Sequence, residues 1–473
     1  MKKIILAIFC ALSFIACKED YLDVQQEGQI PAEKLFQTES DAVSATTYIY
    51  SFLRSWDNSA FPYQYLFGVP ADDVVKGSNP GDASFMNVYD NFSFTQSDGG
   101  VEGYWNGQWN AVARCNQVIS NVPKITMNET LKARLIAEAK FLRAYFYFNL
   151  VRIYGGVPIF DGIPSDFNYN IPRSTKEEVY AFIEKDLSAA ADILPVSYGP
   201  TDLGRATKGA AKGLLSKVYL YEKKWQKAFD TSNDVINMGY DLDPDFNHLF
   251  RIAGEFGKES VFEVDCDCSA GNGSQYAEVQ GVRGQFGWGF FTPSQALENA
   301  FEPGDIRKEL TILRNGETTP EGDVIAKGDP LSVDTYNQKV YVPLAQNNNA
   351  CGYGSKQNIR ILRFAEILLI NAEAANELGN TSVATTNLNK VRTRAQLANT
   401  TATTQSALRT AIWQERRVEL AMEGDRFVDL VRTGQAATVL ASYGFTAGKN
   451  ELFPIPLNAI NQSKGVLTQN PGY

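Results

Sequence analysis

The amino-acid sequence predicts a mainly α-helical fold, an α-α superhelix of tetratricopeptide-like helical pairs with long insertions of loops and short strands. Three observations lead to this prediction. Apolar residues recur every three or four positions through several long segments, of which Leu131–Tyr154 is the clearest. Two consecutive pairs of such segments have tetratricopeptide spacing, and two aromatic-rich stretches, 55–107 and 254–354, lose the helical period altogether.

The N-terminal apolar run is predicted to be a leader, separate from the folded domain. Lys2 and Lys3 precede the run and small Ala16 follows it, which is the anatomy of a secretory signal peptide over residues 1–16. The run is shorter than the roughly 20 residues that a membrane-spanning helix needs. "FIAC" resembles the lipobox of bacterial lipoproteins, so we expect Cys17 to be acylated, with a plain secreted protein as the alternative.

Composition bounds the function of the remaining chain, residues 17–473. The full sequence carries 44 basic and 54 acidic side chains, which gives a formal net charge of −10. This balance argues against nucleic-acid binding, which is driven by basic surfaces that release counterions. We expect one folded domain, with an N-terminal part over 17–240 and a C-terminal part over 250–473 that contains the insertion 254–354.

Histidine and cysteine usage excludes several catalytic classes. His248 is the single histidine, too few for a metalloprotease site or a histidine-dependent triad. One residue separates Cys266 from Cys268, which is too tight for a typical zinc pair. Together with Cys115 and Cys351, these cysteines either form a disulfide or act as small buried apolar residues, and the sequence does not choose between the two.

Seven segments carry the helical period. The helix over Leu131–Tyr154 has charged residues between its apolar positions and stops at Gly155, Gly156 and Pro158. The other predicted helices cover 175–194, 208–221, 225–237, 359–378, 383–398 and 406–422.

Two neighbouring pairs of these segments match tetratricopeptide units. Small residues at fixed positions let two antiparallel helices approach, and larger ones fill the groove of the next pair. The matching positions are Leu215, Ser216, Tyr219, Trp225 and Ala228 in the first pair, and Ala372, Ala375, Ala384 and Leu388 in the second.

The segment "ERRVELAMEGDRF", which begins at Glu415, has the charge density of a catalytic centre. Helical spacing places Glu415 on an apolar stripe, so its carboxylate needs a buried partner. Arg416, Arg417 and the arginines of "IRILR" are the candidates. Acid–base chemistry on a glycosidic bond is the alternative interpretation. Because these charges lie within a predicted helix, we favour an architectural role and expect no catalytic residue.

Five stretches of the chain resemble the SusD/RagB family in the order in which that family has them. They are "AEAKFLRAYFYFNLVRIYGGVPIF" (Ala137–Phe160), "RFAEILLINAEAANELG" (Arg363–Gly379), "LNKVRTRA" (Leu388–Ala395), "ERRVELAMEGDRFVDLVRTG" (Glu415–Gly434) and the closing "ELFPIPLNAINQSKGVLTQNPGY" (Glu451–Tyr473). With the lipobox, the resemblance extends over essentially the whole chain.

The resemblance implies a lipoprotein anchored in the outer membrane of a Gram-negative bacterium and exposed at the cell surface. Such proteins have four tetratricopeptide-like helical pairs, and their insertions form the ligand face. They work with a SusC-type TonB-dependent transporter and capture oligosaccharides, or peptides in the RagB branch, without catalysis. No cofactor is implied, and the sequence has no "DxDxDG"-type loop to support a structural calcium ion. A helical-repeat adaptor that binds only protein is a further alternative.

Oligosaccharide capture gives the aromatic residues of the two insertions a function. A pyranose ring has an apolar C–H face that packs on a flat aromatic side chain, while carboxylate, amide and guanidinium groups bind its hydroxyls. For each single aromatic residue, packing inside the insertion is the alternative, since most large aromatics are substantially buried. The candidates are Trp56, Tyr63, Tyr65, Tyr104, Trp105, Tyr276 and Trp288, with Asp72, Asp73 and Arg283 as polar companions.

Overall fold

The structure, a computed structural model, describes residues 35–164, 168–268, 273–285, 287–326, 331–346 and 354–473. The predicted leader and Cys17 lie outside these residues. Among the helices of the described ranges, none is both long and apolar enough to cross a bilayer.

Helices dominate the described part of the chain, as the sequence predicts. The helices of twelve residues or more in the described ranges are α1 (Glu39–Ser51), α2 (Gly99–Asn121), α3 (Glu129–Tyr154), α4 (Lys176–Ile193), α5 (Lys208–Tyr221), α6 (Trp225–Ile236), α7 (Phe364–Glu377), α8 (Thr381–Arg394) and α9 (Gln405–Glu419). Consecutive long helices pack against one another from α2 to α8, and α9 packs on α7 and α8.

Local capping signals set the ends of these helices. The Asn128 side chain accepts a hydrogen bond from the backbone N–H of Leu131 at the start of α3, and Gly155 follows the last residue with a φ of 74°. Thr175 and Glu178 form a capping box at the start of α4. The four predicted segments from 131 to 237 therefore match α3 to α6 closely.

The two predicted tetratricopeptide-like pairs are confirmed as α5 with α6 and α7 with α8. Ala372, Ala375, Ala384 and Leu388 are fully buried where α7 meets its neighbours. In α5, a Cβ atom at Gly213 would lie 2.6 Å from Leu362 Cδ2 and 3.2 Å from Ile367 Cδ1 of α7, so the chain packs closely on α5 at this glycine. Small residues therefore lie where the helices meet, as the pattern predicts.

The predicted helix over 359–378 is wrong at its start. Residues Ile359–Arg363 form strand β6, which pairs antiparallel with β2 (Ser260–Val264). An apolar period alone does not distinguish the two structures here, because β6 is selected by a partner about a hundred residues earlier. The predictions over 383–398 and 406–422 also run past the ends of α8 and α9.

A second short sheet joins the two insertions. Strand β1 (Val74–Gly77) of the first insertion pairs antiparallel with β3 (Phe290–Pro293) of the second, with Val75 opposite Thr292 and Gly77 opposite Phe290. The third sheet pairs β4 (Ile312–Arg314) with β5 (Thr335–Asn337) inside the second insertion. The two irregular stretches of the sequence thus form one structural region.

The first insertion is shorter and more helical than the sequence predicts. It contains the short helices Trp56–Ser59 and Phe61–Phe67, and α2 begins at Gly99 within the predicted loop. Glycines usually weaken a helix, but a Cβ atom at Gly100 would lie 2.2 Å from the Tyr65 ring. The glycine-rich first turns of α2 are therefore needed because the insertion packs directly on them.

The cysteines divide between the two roles that the sequence left open. Cys115 and Cys266 are buried free thiols, and burial raises the pKa of both. Cys268 is disulfide-bonded. Cys351 lies outside the described residues.

Candidate functional site

The densest cluster of charge in the described chain is buried beneath α9. Arg363, at the end of β6, lies 2.6 Å from Glu259, 2.9 Å from Glu419 and 2.8 Å from Glu423. Arg394 binds Glu259 and Glu419 from the other side. Burial would raise the pKa of Glu419, but the surrounding arginines hold it well below its ordinary value. Every charge here has a partner, so the cluster is structural.

Glu415 is buried on the core-facing side of α9, as its spacing predicts, but its partners differ from the predicted ones. Its two carboxylate oxygens lie 2.7 Å from Arg307 and 3.0 Å from Arg392. Arg416 and Arg417 project elsewhere because neighbouring positions of a helix face different directions. The architectural role of "ERRVELAMEGDRF" is supported, with arginines supplied from outside that segment.

Asp72 and Asp73, predicted as polar companions of a ligand, are buried in a second cluster. Arg417 of α9 lies 2.8 Å from Asp72 and 2.6 Å from Asp73, and Arg426 lies 2.7 Å from Asp72. Burial raises the pKa of Asp73, against the opposing effect of Arg417 and Arg426. These carboxylates join the first insertion to α9 and are removed from the candidate ligand surface.

Three predicted aromatic residues are also in the interior. Tyr65 stacks on Tyr89 with their ring centroids 4.9 Å apart, and Trp105 meets Tyr154 edge-on at 5.0 Å. Tyr104 has no exposed surface. Tyr104 and Trp105 are buried because they lie in α2, which the first insertion covers. These rings stabilise the core and are not ligand platforms.

Tyr63 and Tyr276 are half-buried and line a pocket between the first insertion and helices α3 and α5. The Tyr63 hydroxyl donates a hydrogen bond to the backbone carbonyl of Glu423. A Cβ atom at Gly424 would lie 2.1 Å from that hydroxyl, so glycine is required there. Burial raises the pKa of both tyrosines, so both are neutral hydrogen-bonding groups.

Two predicted tryptophans meet at the surface where the insertions join. Trp56 is 38% exposed, and its ring centroid lies 6.1 Å from that of half-buried Trp288. Phe61 packs against both rings, at 4.9 Å from Trp56 and 5.8 Å from Trp288. The buried Phe61 ring therefore contacts both tryptophans from the core side, which limits the motion of both rings.

A polar pair lies beside the tryptophans. Arg283 lies 2.7 Å from Asp82, and the two side chains are 29% and 32% exposed. Ser78 links them to the aromatic pair, because its hydroxyl accepts a hydrogen bond from Arg283 and lies 3.0 Å from the Trp288 carbonyl oxygen. We define the tryptophan face as Trp56, Trp288, Arg283 and Asp82.

Asp82 and Ser78 were missed in the sequence. They are the last and first residues of the turn "SNPGD", whose Asn, Pro and Gly mark it as a turn but give no sign that it lies beside a tryptophan. Phe85, which is 61% exposed and meets Tyr65 edge-on, was also missed. In the sequence, Phe85 is one of many aromatic residues of the first insertion, and no pattern distinguishes it from the others.

The chemistry of the tryptophan face suits binding. Its rings offer flat apolar surfaces, and its guanidinium and carboxylate offer hydrogen-bond donors and acceptors in partial contact with solvent. The hydrogen bond from Ser78 lowers the pKa of Asp82, so this carboxyl is ionised and is a poor proton donor. Within the described residues, no cluster of three or more His, Cys, Asp or Glu side chains could hold a metal ion.

Comparisons with known proteins define the class to which this architecture belongs. The model of the SusD family matches residues 258–473, and a model described as starch-binding, associating with the outer membrane, matches residues 20–220. SusD-like protein P2 of Formosa agariphila is 30% identical to this chain, over 98% of both proteins. The chain belongs to the SusD family.

Solved structures are similar to the chain over nearly its whole length. A laminarin-binding SusD-like protein has a TM-score of 0.82 at 29% sequence identity, covering 93% of this chain and 100% of that protein. Surface glycan-binding protein A from Bacteroides fluxus has a TM-score of 0.78 at 26% identity, covering 92% of this chain and 100% of that protein. These similarities confirm the family resemblance and the helical fold that the sequence predicts.

Proposed function

We propose that this protein is a surface glycan-binding lipoprotein that captures oligosaccharides on the tryptophan face and delivers them to a SusC-type TonB-dependent transporter. The observation that carries the proposal is the Trp56–Trp288 pair, which is partly exposed to solvent and packs on the buried ring of Phe61. Two tilted rings 6.1 Å apart can receive the apolar faces of adjacent sugar units in a curved chain.

The Arg283–Asp82 pair supplies the polar groups that would bind the hydroxyls of a sugar. Arg283 donates and Asp82 accepts hydrogen bonds, and both are fixed by contacts with the same turn. Prior ordering of these groups lowers the entropy lost on binding. The similarity to a laminarin-binding protein of 29% identity supports a β-glucan as the first ligand to test.

Delivery to a transporter and anchoring through Cys17 belong to the same proposal. Family membership and the family description that names the outer membrane support both. Acyl chains on Cys17 would hold the domain at a membrane surface, at about 0.8 kcal/mol per buried methylene group. Binding without catalysis is supported by Asp82, whose pairing with Arg283 and Ser78 keeps it ionised.

Calorimetric titration of the purified domain against laminari-, malto- and xylo-oligosaccharides tests the proposal. We expect at least one series to bind, and we expect Trp56→Ala to weaken that binding about tenfold. Tyr169→Ala is the matched control, because Tyr169 is 54% exposed and lies outside the tryptophan face.

Three results would contradict the proposal. Shortened sugars recovered after incubation would show catalysis, and co-purified peptides in the absence of any glycan affinity would favour the peptide-binding branch of the family. A complex with another protein and with no small ligand would favour an adaptor. Radiolabelled palmitate incorporation, lost in Cys17→Ser, tests the anchor separately.

A further inference from the structure

A lysine occupies the centre of the turn that carries Asp82. Lys76 lies in β1 and only 7% of its surface is exposed. Its Nζ atom donates hydrogen bonds to the backbone carbonyls of Asn79 at 3.0 Å, Pro80 at 3.2 Å and Asp82 at 2.7 Å. An ammonium group has three N–H donors, and all three are used by carbonyls of this one turn.

The turn wraps around this charge as chain segments wrap around a bound cation. Carbonyl oxygens of neighbouring residues converge on one positive centre, which is the arrangement that hard cations receive from protein loops. Gly77 and Ser78 both have positive φ angles, of 72° and 54°, which turns the chain sharply after β1. The left-handed conformation of Ser78 is unfavourable for a residue with a Cβ atom, so another interaction must stabilise it.

Residues of the same turn also form hydrogen bonds with the tryptophan face. The backbone N–H of Ser78 donates to the carbonyl of Gly289 at 2.6 Å, one residue after Trp288. The carboxylate of Asp82 lies 2.8 Å from the Ser78 hydroxyl and 2.7 Å from Arg283. The position of Arg283 relative to Trp288 therefore depends on the shape of the turn.

We propose that Lys76 is a positioning residue for the tryptophan face, a built-in cation that organises residues 78–82 and through them Asp82, Arg283 and Trp288. The inference rests on the proposed function for its effect on glycan affinity. Its effect on the turn itself is independent of any ligand.

Hydrogen exchange and chemical rescue of Lys76→Ala test the inference. Truncation to alanine removes the propylammonium part of the side chain and leaves the carbonyls converging on a vacated space. We expect the amides of Ser78, Asn79 and Gly289 to exchange at least tenfold faster than in the wild type. Added propylammonium should restore most of the protection, and tetramethylammonium, which has no N–H donor, should not.

Two further variants separate positioning from general stability. Lys76→Met keeps most of the side-chain volume and removes the donors, so it should behave as Lys76→Ala without rescue. Lys212→Met is the matched control, because Lys212 pairs with Asp234 at the surface and should leave exchange in the turn unchanged. Unchanged exchange in both Lys76 variants, or equal rescue by the two cations, would overturn the inference.

Glycan titration then links the turn to binding. With the best glycan ligand of the wild type, we expect Lys76→Ala to bind about tenfold more weakly and to recover with propylammonium. If the turn amides of Lys76→Ala exchange rapidly but the variant binds the glycan as tightly as the wild type, the positioning role would be overturned. Failure of the wild type to bind any glycan would contradict the proposed function, and the exchange measurements would still decide whether Lys76 orders the turn.

Discussion

Two arginine–carboxylate pairs in this molecule have the same chemistry and opposite surroundings. Arg363 and Glu419 are at most 1% exposed and belong to a network of further charges. Arg283 and Asp82 lie about 30% open to solvent beside two tryptophans. The first pair is enclosed by other charges, whereas the second has solvent contacts that a ligand could replace. Exposure and not charge density separates the two pairs, because the density of charge is higher in the buried cluster.

The largest expected effect comes from breaking the buried pair. Glu419→Gln leaves Arg363, Arg394 and Arg307 without a shared counter-charge, and loss of one partner from a buried ion pair costs about 3–5 kcal/mol. We expect a loss of this size in the free energy of unfolding measured with urea. A loss below about 1 kcal/mol would contradict the structural role of the cluster.

The comparison between buried and exposed groups also applies to two aromatic residues of the first insertion. Tyr65→Ala removes a buried stacked ring and should lower the free energy of unfolding by about 3 kcal/mol. Trp56→Ala removes a partly exposed ring and should cost much less stability, while glycan affinity falls about tenfold. Urea unfolding and calorimetry on the same samples measure both quantities. Equal stability losses in the two variants would place Trp56 in the core.

The helices were predictable from the sequence because their signals are local. The period that marks α3 and the asparagine that caps it lie within the same thirty residues. The positions of Tyr104 and Asp72 were not predictable, because each is buried by residues outside its own helix or turn. Tyr104 packs edge-on against Phe67 in a preceding short helix, and Asp72 is bound by Arg417, 345 residues later.

The tryptophan face was predicted only in part for the same reason. Trp56, Arg283 and Trp288 were selected by residue type, since indole and guanidinium groups suit sugars. Their proximity depends on the pairing of β1 with β3, which no local pattern indicates. Asp82 was missed because an aspartate in a turn has no sequence feature that indicates its partner, Arg283.

A half-buried carboxyl away from both pairs gives a pH-dependent effect of intermediate size. Burial raises the pKa of Glu255 to about 7, assisted by Glu263 and opposed by Asn358 and Arg360. Since the folded state binds this proton more tightly than the unfolded state, stability should rise as the pH falls from about 7 towards 4.5.

Glu255→Gln should remove the contribution of this group, worth ~2 kcal/mol. Urea unfolding of the variant and of the wild type between pH 4.5 and 8 measures the difference. A variant whose stability still varies with pH as the wild type does would assign the effect to another group.

The smallest expected effect comes from breaking the exposed pair. Asp82→Asn should lower the free energy of unfolding by less than about 1 kcal/mol, because exposed ion pairs are screened by solvent and salt. Glycan affinity should still fall several-fold, since Arg283 loses the group that orients it. Unchanged affinity would remove this pair from the ligand site.

A crystal structure of the domain with its tightest-binding oligosaccharide tests the central claim most directly. The account predicts intact glycosidic bonds, sugar rings packed on Trp56 and Trp288, and hydroxyls within hydrogen-bonding distance of Arg283 or Asp82. A ligand bound elsewhere on the surface, with the two tryptophans still exposed to solvent, would contradict it.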